Sequence, residues 1–428
     1  MNLVEIHIID KSHSFYDECE KVCFNAKNVY NMALYNFRQN YFEYKDNKEK
    51  RFLDFKDNYH LIKNVQKKDY ESLPRKCSNQ VIKLFYQNVN SFFKAIKAYE
   101  KNPSKFNGRP KLPKYKDSLN GRIVNYYEKG SISMKELDKG YIKLSGTNIL
   151  IKTSKANRNN IVGARVVPMY NSYKIEVIYK VEEKEIQVSN RKAAIDLGLN
   201  NLATLVTNLN LEPVIFDGRK IKSINHYFNH KYSRLRSEFE IKNKKGLNIK
   251  SSKRMIRMSN KRKNKIKDYL HKISSMIVTY LVSNEITELI IGYNKNWKQN
   301  INLGTMNNQN FVNIPHYIFV QMLEYKCKLE GIEVIKQQEA YTSLCSFLDG
   351  EKICKHKKYQ GNRLKTKLFQ TSNGRIINAD VNGAFNILKK ADPNAFDEII
   401  SSNNEGLQAL AVVPRKRFVK NRFTKKLE

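Results

Sequence analysis

The chain of 428 residues carries 78 Lys and Arg against 41 Asp and Glu, a net charge of +37 with a pI near 9.8. Such a surplus repels itself unless a polyanion neutralises it, so nucleic acid is the expected partner, with a basic ribosome-associated or membrane-surface protein as the plainer alternative. An apolar run of about eighteen residues, as a membrane-spanning helix needs, is absent from the sequence. The six cysteines form no regular framework and residues 1–11 lack a signal-peptide pattern, so a reducing cytoplasmic setting beside a bacterial nucleoid is expected.

Residues 2–9 alternate as a strand does. Between Phe15 and Tyr44, residues Cys23, Ala26, Tyr30, Ala33, Leu34, Phe37 and Tyr41 recur at helical spacing. A second helix is predicted over 78–99, with Val81, Phe85, Val89, Phe92 and Ile96 on one face. These aromatic stripes read as core, as do Cys19, Cys23, Cys77 and Cys327 within helical patterns. Pro103, Gly108, Pro110 and Pro113 make 101–116 an extended basic connector. Short alternating runs at 123–127, 141–144, 149–152 and 173–181, with Gly130, Gly140, Gly146 and Asn171 as turns, predict a small antiparallel barrel. The first strand would return to that barrel, and the helices would be an insertion between its strands.

A different pattern begins at Ala193. Runs at 193–198, 203–207 and 213–216 are spaced as hairpin strands, whereas 289–291 and 332–335 are separated by helical stretches. That order predicts a mixed sheet with helices on both faces. Within 219–267 eighteen Lys and Arg face two acids, Glu238 and Glu240, more than solubility requires. Lys244, Lys245, Lys253, Arg254, Lys261, Arg262 and Lys263 are therefore assigned to a helical hairpin that tracks phosphates. The basic tail, 396–428, lacks apolar periodicity and is expected to be disordered without nucleic acid.

Two acids stand out for chemistry. Asp196 closes the apolar run Ala193-Ala194-Ile195-Asp196-Leu197-Gly198, at the carboxyl end of a strand, where ligands gather in an open sheet. Asp380 opens the helical stretch Asp380-Val381-Asn382-Gly383-Ala384-Phe385-Asn386-Ile387-Leu388, and small Ala384 would leave room for its side chain to lean towards the sheet. Alone, Asp380 is an acid favoured at a helix N-terminus. As a pair in a cationic protein the two point to Mg²⁺-dependent cutting of phosphodiesters. Two ions held about 3.5–4 Å apart call for a third acid as well.

These two stretches resemble the first and third RuvC motifs of TnpB, the transposon-associated RNA-guided nuclease ancestral to the type V CRISPR effectors. The resemblance continues through 28–39, 92–97 and 105–115, and so covers nearly the whole chain. It implies a multidomain α+β fold: a wedge β-barrel (1–12 and 117–188) and a helical recognition lobe (13–116), then a RuvC, RNase H-like mixed α/β domain (189–344 and 379–395). A zinc-ribbon-type module (345–378) would be inserted in the last. Guide RNA, double-stranded target DNA and its displaced strand are the implied partners, and two Mg²⁺ ions the implied cofactor.

Two departures matter. The family places its middle glutamate after the fourth RuvC strand, which here reads Leu289-Ile290-Ile291-Gly292-Tyr293-Asn294. Glu288 lies at the wrong end of that strand. Glu339, at the carboxyl end of the neighbouring fifth strand, is assigned as the third metal ligand with Asp196 and Asp380. The family's insertion has two paired-cysteine knuckles, whereas this chain has Cys345, Cys354 and His356, short of the four ligands of tetrahedral zinc. A degenerate, zinc-free ribbon is expected, with Cys345 and Cys354 the ligands if zinc is held at all. The overall expectation is an RNA-guided, Mg²⁺-dependent DNA endonuclease that cuts beside a short flanking motif with one RuvC site. A nuclease-dead RNA-guided repressor and a compact type V effector are the alternatives. A protein-only resolvase or transposase is disfavoured, because it would leave the basic N-terminal half without a task.

Overall fold

The alternation at the start of the chain does produce a strand, β1 (Asn2–Asp10), and its partner lies far away in sequence. The computed structural model describes residues 1–46, 53–243, 252–294, 314–364, 367–397 and 417–418. They fall into two units, Met1–Glu182 and Glu183–Glu428. In the first, β2 (Asn125–Glu128), β3 (Tyr141–Lys143), β4 (Leu150–Lys152), β5 (Ile161–Met169) and β6 (Ser172–Lys180) follow β1. β1 pairs antiparallel with β6 along its full length, from Asn2 opposite Lys180 to Asp10 opposite Ser172. The sheet order is β1-β6-β5-β2, with β3 and β4 in a separate ribbon. These ladders leave β1 and β2 as the edges of the sheet among the described strands, where the sequence predicts a small antiparallel barrel.

Strand β5 had no counterpart among the expected elements. Gly163, Arg165 and Pro168 break its alternation, yet it lies between β6 and β2. The β2 ladder stops at Val166, so Pro168, which has no N–H to give, lies where β5 pairs with β6 alone.

Helices Tyr16–Asp46 and Arg75–Lys101 are each slightly longer than their periodicity predicted, and two short helices, Phe55–Asn64 and Lys67–Glu71, lie between them. Their apolar stripes share one cluster with the sheet: Cys23, Tyr30, Phe37, Phe85 and Val89 from the helices join Tyr127, Val166 and Ile175 from the strands. The three cysteines of this unit are core residues, as expected. The extended connector is tied back to the first helix. Asn31 Nδ2 donates to Lys116 O at 2.9 Å, Lys116 N donates to Asn31 Oδ1 at 2.8 Å, and Lys27 Nζ donates to Ser118 O at 2.6 Å.

The second unit is built on a mixed sheet of β7 (Lys192–Leu197), β8 (Asn201–Thr207), β9 (Val214–Asp217), β10 (Glu288–Gly292) and β11 (Glu333–Gln337). β7, β8 and β9 pair antiparallel in sequence order, and β10 lies parallel to both β7 and β11. Helices cover both faces. Ala193, Ile195 and Leu197 pack under the helices Lys253–Ser283 and His316–Leu329, whereas Ala194, Val206 and Ile290 pack under the helix Ala379–Ala391. The inserted segment contributes a small antiparallel sheet, β12 (Asn362–Arg363), β13 (Leu368–Gln370) and β14 (Ile376–Asn378). β15 (Arg417–Phe418) adds parallel to β9, so the tail expected to be disordered supplies one short pairing; its other residues from 398 on lie outside the described ones. Among the described residues no helix is long and apolar enough to cross a membrane.

Phe85 tests the first core. It is fully buried, with its ring 5.5 Å from Tyr30 and 5.6 Å from Phe37, both edge-on. Phe85→Ala should destabilise the first unit by about 3–5 kcal/mol. Calorimetry should then show a lowered transition, or loss of the helical signal of this unit.

Candidate active site

Side chains alternate along a strand, so Asp196 projects to the same face as Ala194, towards the helix Ala379–Ala391. What makes room for it is the bare Cα of Gly383: a Cβ there would lie 2.9 Å from Asp196 Oδ2. Ala384, expected from the sequence to leave room for the Asp380 side chain, packs into the core beside Val381, Phe385 and Leu388. Asp380 sits in the first turn of the same helix. Asn378 caps that turn, its Oδ1 accepting from Asp380 N at 2.9 Å and Val381 N at 3.4 Å.

The third acid comes from β11. Gly292 ends β10 opposite Gln337 of β11, and two residues further on the Glu339 side chain folds back over it. A Cβ at position 292 would collide with Glu339 Oε1, and would lie 2.6 Å from Ile387 Cδ1 and 3.0 Å from Glu339 Cγ. A side chain on residue 292 and the present place of Glu339 are therefore mutually exclusive. Glu288, by contrast, stands at the opposite end of β10 in an ion pair with Lys192 at 3.4 Å.

The acids feel one another. Desolvation of the Asp196 carboxyl, then repulsion from Asp380 and from Glu339, holds its pKa well above the usual carboxylate value, with Arg363 partly opposing. Burial pushes Glu339 up to about 7. Its Oε1 is buried without a hydrogen-bond partner, while Asn294 Nδ2 donates to Oε2 at 3.2 Å. Asn201 Nδ2, from the start of β8, donates to Asp380 Oδ2 at 2.8 Å, and Arg363 Nη2, from the inserted sheet, approaches Asp380 Oδ1 at 3.5 Å. Neither Asn201 nor Arg363 was found from sequence. Asn201 could have been suspected from its nearness to Asp196, but nothing local marks Arg363.

The turn carrying Glu339 is locked from the same helix. Asn382, Asn386 and Lys390 lie one turn apart on one stripe. Asn382 accepts from Phe347 N at 2.9 Å and donates to Cys345 O at 2.9 Å; Asn386 donates to Thr342 O at 2.9 Å and Cys345 O at 2.7 Å; Lys390 Nζ donates to Ala340 O at 2.9 Å. Tyr341, just after Glu339, holds a left-handed φ of 68°, a conformation that persists only where surroundings impose it.

The orphaned buried oxygen of Glu339, near two other acids, is a donor of the type Mg²⁺ takes. Among the described residues, however, no three acidic, cysteine or histidine side chains are grouped so as to hold a metal ion. The zinc expectation fares differently. Cys345 Sγ donates to Lys352 O at 3.5 Å and Cys354 O at 3.6 Å, and burial raises its pKa. Cys354 Sγ is 3.4 Å from His356 Nε2. A fourth ligand does not join them among the described residues, so Cys345, Cys354 and His356 do not fit structural zinc.

Of the basic residues, Lys253, Arg254, Lys261 and Lys263 are exposed on the helix Lys253–Ser283. Arg262 is not. Its Nε donates to Asn225 at 2.7 Å, its guanidinium lies 4.8 Å from the Phe228 ring centre, and burial lowers its pKa. It joins two helices. Lys244 and Lys245 lie outside the described residues.

Fold and site thus define an α+β protein whose mixed sheet gathers carboxylates at its strand ends beside an inserted module. Residues 173–298 match the OrfB_IS605 family model, a probable transposase, and residues 316–387 match the Cas12f1-like TNB domain. Both matches are to families of TnpB-like kind, and each covers less than half of the chain. It is similar in fold to a Cas12f1 solved with single-guide RNA and target DNA, at 15% identity, 87% of this chain, 82% of that chain and a TM-score of 0.54. A Cas_phi3 mini-RNA-guided endonuclease aligns over 91% of this chain and 92% of its own at 10% identity, with a TM-score of 0.46. No curated protein matches the chain.

Crowded acids leave a stability signature. Glu339 has a folded pKa above its ordinary 4.5, so the folded state holds a proton the unfolded state releases, and stability falls as pH rises from about 4.5 to about 7. Asp196 acts in the same direction. Asp196→Asn and Glu339→Gln should each flatten this fall and raise the metal-free melting temperature at neutral pH. One kcal/mol corresponds to roughly 2–4 °C in a unit of this size. Thermal denaturation between acid and neutral pH checks it; a lowered melting temperature in both variants would contradict the crowding.

Proposed function

We propose that the chain is an RNA-guided, Mg²⁺-dependent DNA endonuclease of the TnpB type, with one RuvC site formed by Asp196, Glu339 and Asp380. The observation that carries the reading is the approach of these acids at the carboxyl ends of β7 and β11 and at a helix start, with Glu339 filling the space over Gly292. The strand order β9-β8-β7-β10-β11, hairpins first and parallel helix-linked strands after, supports a RuvC domain over 189–344 and 379–395. Residues 345–378 would be its inserted module, and 1–12 with 117–188 and 13–116 the wedge and recognition parts. The Cas12f1 similar in fold was solved with single-guide RNA and target DNA, and the +37 charge suits the same polyanions here. Guide pairing would read the sequence, while the protein recognises backbone geometry and a flanking motif.

Asp196, Glu339 and Asp380 would hold the Mg²⁺ ions, which when bound supply Lewis-acid charge for hydrolysis of a phosphodiester. Asn201 and Asn294 keep Asp380 and Glu339 in place through the side-chain hydrogen bonds already described. Arg363 is half-exposed, so its guanidinium can turn from Asp380 to a phosphate oxygen. The stripe of Asn382, Asn386 and Lys390 fixes the turn from which Glu339 projects.

With guide, target and Mg²⁺ present, Asp196→Ala or Asp380→Ala should abolish cutting while leaving RNA and target binding within about twofold of wild type. Glu339→Gln should lower the cleavage rate by roughly a hundredfold or more, as when transition-state charge stabilisation is lost. Glu288→Gln should cut normally. The repressor reading draws on Gly292, where the usual acid is missing, and wild-type protein that binds its target but never cuts would establish it.

The charge generates a second outcome. Purified protein should carry one enriched RNA species, released by high salt along a steep log–log slope. Sequencing of the bound RNA checks this, and random cellular fragments alone would defeat the guided reading.

A further inference from the structure

The helices Arg219–Asn243 and Lys253–Ser283 pack against each other and enclose a groove of about 580 Å³ on the surface of the second unit. Its floor is apolar and aromatic, with Ile224, Phe228 and Met258. At its side stands Tyr227, 65% exposed, a large ring left in solvent. Arg254, Arg257, Lys261 and Lys265 also line it, all exposed, and among the described residues none of them makes an ion pair with an acid. Among the described residues no carboxylate lines the groove. Arg262, which also lines the groove, donates to the buried Asn225 and packs its guanidinium on Phe228, and Phe228 also stacks with Tyr232 with ring centres 4.9 Å apart.

We propose that this groove is a nucleobase pocket for single-stranded RNA, in which an unstacked base lies on Tyr227 and the flanking phosphates meet Arg254, Arg257, Lys261 and Lys265. A phosphate-tracking surface needs cations alone, because a duplex hides the faces of its bases. An exposed ring beside an apolar recess adds a partner for the flat face of a base, which only an unpaired nucleotide offers. RNA presents such bases ready-made in loops and bulges, whereas duplex DNA must first be opened. The inference deepens the guide-RNA reading above and rests on it for the identity of the RNA, but the pocket itself answers to a simpler probe.

The test is fluorescence-anisotropy binding of the full chain, stripped of RNA, to a short labelled oligouridylate, with the corresponding single-stranded DNA and an RNA duplex in parallel. Tyr227→Ala should weaken binding of the single-stranded RNA by about tenfold, the effect of losing one stacked base. Its salt slope should stay unchanged, and Tyr227→Phe should bind as wild type does. Arg257→Ala should instead lower the slope by about one. Tyr227→Ala within about twofold of wild type, or an equal loss with the duplex, overturns the pocket. A Tyr227-dependent preference for DNA overturns the assignment to RNA. The RNA copurifying with the wild type separates the two readings. A defined RNA with a silent Tyr227 defeats the pocket alone, and a Tyr227 effect with only random fragments defeats the guided reading alone.

Discussion

The feature on which the second unit turns is the burial of two carboxylates, Asp196 and Glu339, with a third, Asp380, close to Asp196. Asp196 and Glu339 are both held towards their protonated forms, and Glu339 keeps an oxygen with no partner. Folding brings these groups together against their own repulsion, so the surrounding scaffold must supply the difference. It does so with a buried mixed sheet, helices on both faces, and two glycines placed where any side chain would displace an acid. A site that destabilises its own fold in this way is expected where charge is to be met by a cation and a polyanion.

The helix Ala379–Ala391 links that site to the rest of the unit. One of its faces fills the core through Val381, Ala384, Phe385 and Leu388. Its start carries Asp380, its Gly383 receives Asp196, and its polar stripe takes up the carbonyls of the turn after Glu339. Short-range periodicity explains the first of these, and the position of Asp380 is likewise local. The others are contacts between segments separated by tens of residues or more. They also account for the inserted segment keeping its shape without fitting a zinc site: backbone groups from Ala340 to Phe347 are satisfied by Asn382, Asn386 and Lys390. The buried Glu351 takes Ser346 N at 2.8 Å and Gln360 N at 3.1 Å.

Positive charge is used in two distinct ways. Lys253, Arg254, Lys261 and Lys263 sit exposed on one helix, where their charge costs self-repulsion and is open to phosphates. Arg262 is an exception, since desolvation and its contacts with Asn225 and Phe228 make it part of the packing between two helices. Composition cannot tell these uses apart. Residues 261–263 are all basic, yet only the helical rotation of Arg262 towards the facing helix decides that it is spent on structure.

What the sequence determined by itself is what depends on local spacing. The strand ending in Asp196, the helix opening at Asp380, the long aromatic helices of the first unit, and the hairpin-then-crossover order of the second sheet follow from periods of two and 3.6 residues. The tertiary structure alone decided whatever depends on which segments meet. Strand β5 was hidden because Gly163 and Pro168 break its pattern, and it becomes legible only between β6 and β2. The open edges of the first sheet, the part played by Gly383, and the arrival of Asn201 and Arg363 beside Asp380 were likewise invisible. The absence of an acid at Gly292 could be read from the chain, but the space it leaves, and the side chain that fills it, exist only once β10 and β11 lie side by side. Alternation fixes the face to which a residue points; the packing of distant segments fixes what it meets there.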